Sequence, residues 1–164
     1  MLKKIDIIGE NYFGKWDKTR IACRGIVKDK DSKNILFSYE MVTDTWIIPG
    51  GGLEENETDK NCCIREISEE TGVIVESSAY LLEINEYYED WKFVNRFFLC
   101  RPIGKADINL TDNKKRAGME PRWLPIEDAI DVFSKFDLYV NTDEVRRSMY
   151  IREFKALTEL LWRV

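Results

Sequence analysis

The stretch REISEETGV, Arg65 to Val73, sets Glu66, Glu69 and Glu70 at helical spacings of three and four. Residues so spaced are neighbours on a helix surface, and like charges there repel. A helix selected for stability alone would carry Lys or Arg at one of these positions. Three carboxylates along one edge instead offer oxygen ligands to a hard divalent cation such as Mg2+, which keeps several waters and shares its shell with substrate phosphates. Just upstream, PGGG (Pro49 to Gly52) follows a short apolar run. Glycines in such a turn let backbone groups face a ligand. An acidic helix edge by itself is most often a solvated face. The glycine turn at a fixed distance from it makes a metal site the better reading. The chain contains no histidine, so Ser-His and Cys-His catalytic pairs and His-ligated zinc are excluded. Acid-base chemistry falls to carboxylates, Tyr, Lys, Cys or metal-bound water.

These residues need a scaffold, and the pattern supplies one. A helix is expected from about Thr58, a good N-cap, to Thr71, with Gly72 where a left-handed C-cap belongs. Cys63, Ile64, Ile67 and Thr71 form its apolar stripe, and Cys62 falls among the acids on the adjoining face. IDII, RIACRGIVKD, NILFSYEM and TWII read as strands before it, the second and third joined by the polar turn KDKDSK. AYLLEINEYY and KFVNRFFLCR follow as two long strands around a turn at EDW, and PRWLP leads into a short helix, IEDAIDVF. A final amphipathic helix is expected from Thr142 to Trp162, with Val145, Met149, Phe154, Leu157 and Leu161 on its core side. Strands before, between and after helices predict an α/β fold, a mixed β-sheet with helices on both faces.

The 164 residues suit one domain, residues 1–164, with a substantial core. A formal net charge of -5 argues against a protein that coats nucleic acid, but not against small anions, because a bound metal supplies positive charge locally. Cys23, Cys62, Cys63 and Cys100 show no zinc-finger spacing, and Cys62 and Cys63 suit buried positions. The amino terminus lacks a signal-peptide run and no long apolar segment follows. The expectation is a reduced, cytoplasmic protein with no membrane partner.

At this length of motif the sequence resembles a known family. Gly51, five residues, Glu57, seven residues, then Arg65 through Val73 match the Nudix box at every specified position. WIIPGGG upstream and PRWLPIEDAI downstream are also similar to the family. The resemblance implies a Nudix-like α/β/α sandwich with a largely curved sheet. It implies water-driven cleavage of a nucleoside diphosphate linked to another group. It further implies Mg2+ or Mn2+ held by Glu66, Glu69 and Glu70 with the Gly50 carbonyl. Arg65 and Glu57 would brace the loop and helix by an ion pair, Gly51 would permit the turn and Gly72 end the helix. Glu69 is the choice for general base, with Glu66 also in the catalytic set. Many family members place a further acid before the Trp-bearing strand. Here that loop offers Lys115, Arg116 and Ala117, leaving Asp112 and Glu120 as the acids within reach.

Arg20 and Arg24 share one face of their strand and are candidates for binding phosphates, a surface ion pair being the alternative. Tyr12, Trp16, Tyr88 and Trp91 are candidates for stacking on a base, against packing roles. The leading function is a pyrophosphohydrolase of nucleotides. Its rival is a catalytically silent nucleotide sensor on the same fold. The expected partner is a small-molecule nucleotide, with a homodimer left open.

Overall fold

A mixed sheet and a smaller antiparallel one meet between layers of helix, and alternation along each strand decides which layer a residue faces. The computed structural model describes residues 2–161. In chain order the elements are β1 Lys3–Ile8, β2 Lys18–Val27, β3 Asn34–Glu40, β4 Thr45–Ile47, β5 Gly50–Gly52, α1 Asp59–Thr71, β6 Val73–Tyr88, β7 Trp91–Lys105, α2 Asp112–Arg116, β8 Met119–Pro125, α3 Ile126–Ser134 and α4 Glu144–Leu160, with a 3-10 turn at Lys135–Tyr139. The larger sheet is five-stranded in the order β1-β6-β7-β2-β5, and the smaller is β4-β3-β8. β1 runs parallel to β6 and β2 parallel to β7, whereas β6–β7 and β2–β5 are antiparallel, so the sheet is mixed.

Two apolar clusters follow from that alternation. Cys23 and Val27 of β2 pack with Leu36, Phe98, Cys100 and the Cys62, Cys63 and Ile67 stripe of α1. Ile26, on the other face of β2, packs with Ile35, Phe37, Leu82, Ile84 and Phe97 against Phe133, Ala156, Leu157 and Leu160 of α3 and α4. Helices therefore cover both sides, as expected. All four cysteines are free and buried. Among the described residues no helix is long and apolar enough to cross a membrane.

The polar turn KDKDSK joins β2 to β3, as expected, and carries the chain into the second sheet, with one isolated bridge between Lys28 and Ile35. The structure departs from the sequence reading in two places. Gly50–Gly52 forms a short edge strand on β2 rather than a turn. The buried side of α4 includes Ser148, Tyr150, Arg152, Glu153, Ala156, Leu157 and Leu160, while Val145 is 66% exposed. That helix buries charge, which a purely apolar stripe cannot reveal. Trp162, the expected end of the helix, lies outside the described residues.

Candidate active site

α1 is fixed at both ends by its own sequence. The Thr58 hydroxyl accepts from the Asn61 amide at 3.2 Å, and Gly72 closes the helix in the left-handed region at φ 72°. Within it, Arg65 grips the glycine strand and the segment that follows. Its Nε donates to Glu57 Oε1 at 2.6 Å and its Nη2 to Glu57 Oε2 at 3.0 Å, a two-pronged pair. Nη2 also donates to the Gly52 carbonyl at 3.2 Å. Arg65 holds Glu57 below the usual carboxylate range, and Glu57 in turn raises Arg65.

The three acids divide into two pairings. Lys114 of α2 donates to Glu70 at 3.1 Å and reaches Glu66 at 3.5 Å. Arg65 Nη1 lies 3.0 Å from Glu66 and 3.2 Å from Glu69. Glu70 is 2% exposed and accepts from the Ser38 hydroxyl at 2.7 Å. Burial raises its pKa, with Lys114 and Ser38 partly offsetting that. Gly51 is required by close approach: a Cβ there would lie 2.4 Å from the Glu66 carboxyl carbon. Gly50 is required on the opposite side, where a Cβ would lie 2.2 Å from the Cys23 carbonyl oxygen.

Among the described residues no three acidic, His or Cys side chains form a ready-made metal cage. Glu66 and Glu70 nevertheless converge on one ammonium, a cation standing between two carboxylates. Mg2+ commonly takes one or two protein carboxylates and completes its shell with water and phosphate. An all-oxygen pair suits Mg2+ or Mn2+ rather than a thiophilic metal.

The remaining expected site residues are spread out. Asp112 is the first, exposed residue of α2, two positions from Lys114. Glu120 lies opposite Tyr39 in the β3–β8 register, while Ser38, which holds Glu70, lies opposite Pro121. Cross-strand partners share a face and successive residues alternate, so Glu120 occupies the face of β8 away from Glu70, where it pairs with Arg122 at 2.6 Å. Arg20, Arg24, Tyr88 and Trp91 line one cavity of about 430 Å3. Tyr12 and Trp16 pack instead on Tyr87, each with ring centres 5.4 Å from it.

Four side chains were missed from sequence: Ser38, Lys114, Glu86 and Arg152. The basic run KKR at Lys114 to Arg116, complementary to the acidic helix edge, was the available signal for Lys114. Glu86 and Arg152 form a buried pair at 3.0 Å across elements far apart in sequence, and no local pattern marks such a pair.

The family model for the NUDIX domain matches residues 18–146. Diphosphoinositol polyphosphate phosphohydrolase 2 of Mus musculus is 28% identical over 131 residues, covering 70% of this chain and 62% of that protein. The mouse diphosphoinositol polyphosphate phosphohydrolase 3-alpha is 30% identical over 115 residues, with 70% and 68% covered. The chain thus spans about 62% of the length of the first of these relatives. Among solved structures, a NUDIX hydrolase from Nitrosomonas europaea superposes with TM-score 0.57 at 15% identity, covering 84% of this chain and 89% of that one. A NUDIX family hydrolase from Clostridium perfringens gives TM-score 0.54 at 14% identity over 87% and 98%. At such identities these two structures speak for the fold.

Proposed function

This chain belongs to the Nudix family, and from that premise we propose that it is a Mg2+- or Mn2+-dependent pyrophosphohydrolase of nucleoside diphosphate derivatives. The observation that carries the reading is the convergence of Glu66 and Glu70 on a single cation beside the glycine strand. Glu66 and Glu70 hold the divalent ion in this proposal, with the Gly50 carbonyl as a further ligand. When bound, the ion neutralises diphosphate oxygens and makes an adjacent water a stronger nucleophile.

The chain's own groups do the rest. Lys114, freed from the carboxylates, donates to the phosphate oxygens where negative charge develops. Glu69, its side chain 35% exposed and paired with Arg65, receives the proton of the attacking water. Asp112, on the helix that carries Lys114, is the alternative base; the register of Glu120 argues against it. Arg65 and Glu57 keep β5 and α1 at fixed separation, and Gly51 leaves room for the Glu66 carboxylate. A cytoplasmic setting, with its thiols reduced, belongs to the same reading.

The test is a turnover screen in Mg2+ and in Mn2+ across nucleoside triphosphates, nucleotide sugars, ADP-ribose and dinucleoside polyphosphates, reading out phosphate or nucleoside monophosphate. The proposal expects metal-dependent release from at least one class. Metal-dependent binding without release from any of them supports the silent-sensor alternative instead.

A further inference from the structure

Four buried thiols gather between α1 and the sheets, and the hydrolytic chemistry at the Glu66 and Glu70 edge uses none of them. Cys62 and Cys63 come from α1, Cys23 from β2 and Cys100 from β7. Their surroundings differ. Cys62 is tied to the active-site side of the helix, its thiol donating to the Gly51 carbonyl at 3.5 Å. Cys63 faces the sheet, where its sulfur lies 3.9 Å from that of Cys100. Cys23, Cys62 and Cys63 are 0% exposed, whereas Cys100 is 7% exposed. Ser77 of β6 lies opposite Cys100, and the β6–β7 register shifts just beyond it, between Ser77 and Tyr80. Such irregularities disrupt a ladder locally, and this one lies beside the thiol that reaches solvent.

The space in which the two sulfurs meet is made by Gly25. This glycine sits inside β2, where a missing side chain weakens a strand, and its backbone is not in the left-handed region that favours glycine. Room is the reason for it. A Cβ at Gly25 would lie 2.8 Å from the Cys100 sulfur, 3.1 Å from the Cys63 sulfur and 2.4 Å from Cδ1 of Ile67. Any side chain there would wedge between sheet and helix and part the two thiols.

The partners are not equivalent. The hydrogen bond from Cys63, with Ser77 and Lys60 acting in the same direction, outweighs burial and holds Cys100 below the ordinary thiol range. That hydrogen bond first, and burial second, push Cys63 up. Cys100 is thus both the better thiolate and the better exposed, with a protonated thiol against it.

We propose that Cys63 and Cys100 are a peroxide-sensitive pair whose disulfide ties α1 to β7 and draws the Glu66 edge out of place. Hydrogen peroxide is the oxidant. The Cys100 sulfur attacks one peroxide oxygen: an S–O bond forms, the O–O bond breaks, and the leaving hydroxide takes the thiol proton as water. Cys100, oxidised by two electrons, is now a sulfenic acid. The Cys63 sulfur then attacks it: an S–S bond forms, the S–O bond breaks, and the hydroxyl leaves with the Cys63 proton as a second water. Closing 3.9 Å to a bond of ~2.05 Å leaves about 1.9 Å of movement to share between side-chain rotation and α1. Glu66 lies three residues further along that helix, its carboxylate so close to Gly51 that a methyl there would clash. The effect on turnover rests on the pyrophosphohydrolase reading; the cross-link does not.

The experiment treats the reduced full chain with stepwise hydrogen peroxide, stops each step with catalase, and counts thiols by alkylation after unfolding and intact-mass spectrometry. Two of the four thiols should disappear, with loss of two hydrogens, before any methionine gains oxygen, and should return with dithiothreitol. Cys62→Ser should still close the cross-link. Cys63→Ser should not, and should instead leave a sulfenic acid on Cys100 that dimedone captures. In the oxidised parent, kcat for a nucleotide found in the turnover screen should fall by about 10²-fold and recover on reduction, while Cys63→Ser should keep its rate in peroxide. Four intact thiols at the point where methionine oxidises, or closure that survives Cys63→Ser, overturns the proposal. So does a closed cross-link that leaves kcat unchanged. A parent with no turnover on any nucleotide sinks the enzyme reading alone, and Mg2+ calorimetry then decides: cross-linking that weakens the ion's binding supports the proposal, and unchanged binding overturns it.

Discussion

Replacing Gly50 and Gly51 separately by alanine should give opposite phenotypes from adjacent positions. In Gly51→Ala the new methyl lies 2.4 Å from Cδ and Oε2 of Glu66 and 2.7 Å from Oε1. Ordinary carbon contacts begin near ~3.5 Å, so the carboxylate must retreat by about 1 Å. The clash is with the free end of a flexible side chain, and the cost in stability is about 0.5–1.5 kcal/mol, the range of an off-rotamer side chain. A catalytic group misplaced by ~1 Å costs about 10²-fold in rate, or ~2.7 kcal/mol of barrier. In Gly50→Ala the methyl instead meets the Cys23 carbonyl oxygen at 2.2 Å and the Arg24 Cα at 2.6 Å. Backbone cannot rotate away, so β5 must part from β2, at the ~1–3 kcal/mol or more typical of overpacking. Each 1 kcal/mol is worth about 2–4 °C in Tm for a chain of this size. Thermal unfolding and initial rates on the same preparations separate the two. Gly51→Ala should melt within a few degrees of the parent and lose most activity, while Gly50→Ala should lose the larger share of stability. A Gly51→Ala protein within twofold of parental kcat/KM would refute the claim that Glu66 must sit where it does, and a Gly50→Ala protein as stable as the parent would refute the claim about β5.

Lys114→Ala removes the ammonium that a divalent ion must displace from Glu66 and Glu70, so Mg2+ affinity without nucleotide should rise by about tenfold, the equivalent of ~1.4 kcal/mol; calorimetry showing weaker binding contradicts this. Burial raises Glu70 above the ordinary carboxylate value of 4.5, so the folded state binds the extra proton in the window above 4.5, and stability falls as pH rises through the raised value. Glu70→Gln should flatten that fall and raise Tm at neutral pH in EDTA; an unchanged slope of Tm against pH would show that Glu70 is not the cause. For Glu57, lowered by Arg65, the sign is reversed: its contribution is present above 4.5 and is lost as pH falls through the depressed value. Arg65→Lys breaks the two-pronged pair and should cost about 1–3 kcal/mol while weakening that acid-side dependence, read by denaturant unfolding at pH 7 and pH 4.

Local signals in the sequence were enough for α1. Thr58, Gly72 and the Cys63 and Ile67 stripe each act within a turn or two of themselves, and all are where propensity and period put them. The strands after it were also legible, although β6 and β7 extend further, to Val73 and Lys105. Gly50–Gly52 pairs with β2 because the neighbouring strand offers free hydrogen-bonding groups, a tertiary effect that outweighs glycine's preference for turns. α4 was misjudged for a related reason. Arg152 and Glu153 are buried because Glu86 and the Ile48 amide meet them there, and those partners lie more than sixty positions away in the chain. Asp112 and Glu120 looked equivalent in sequence. Only the register of β8 against β3 sets them apart.

The central claim is that water cleaves a diphosphate at the Glu66 and Glu70 edge. The direct measurement is turnover of the best nucleotide from the screen in 18O-labelled water with Mg2+, for the parent and for Glu70→Gln, with product phosphate or nucleotide analysed by mass spectrometry. The account predicts one labelled oxygen on a phosphate-bearing product of the parent, and a kcat lower by orders of magnitude for a Glu70→Gln protein that still folds. A parent protein that binds nucleotide tightly with Mg2+ yet incorporates no label, or a Glu70→Gln protein that labels product at the parental rate, would contradict it.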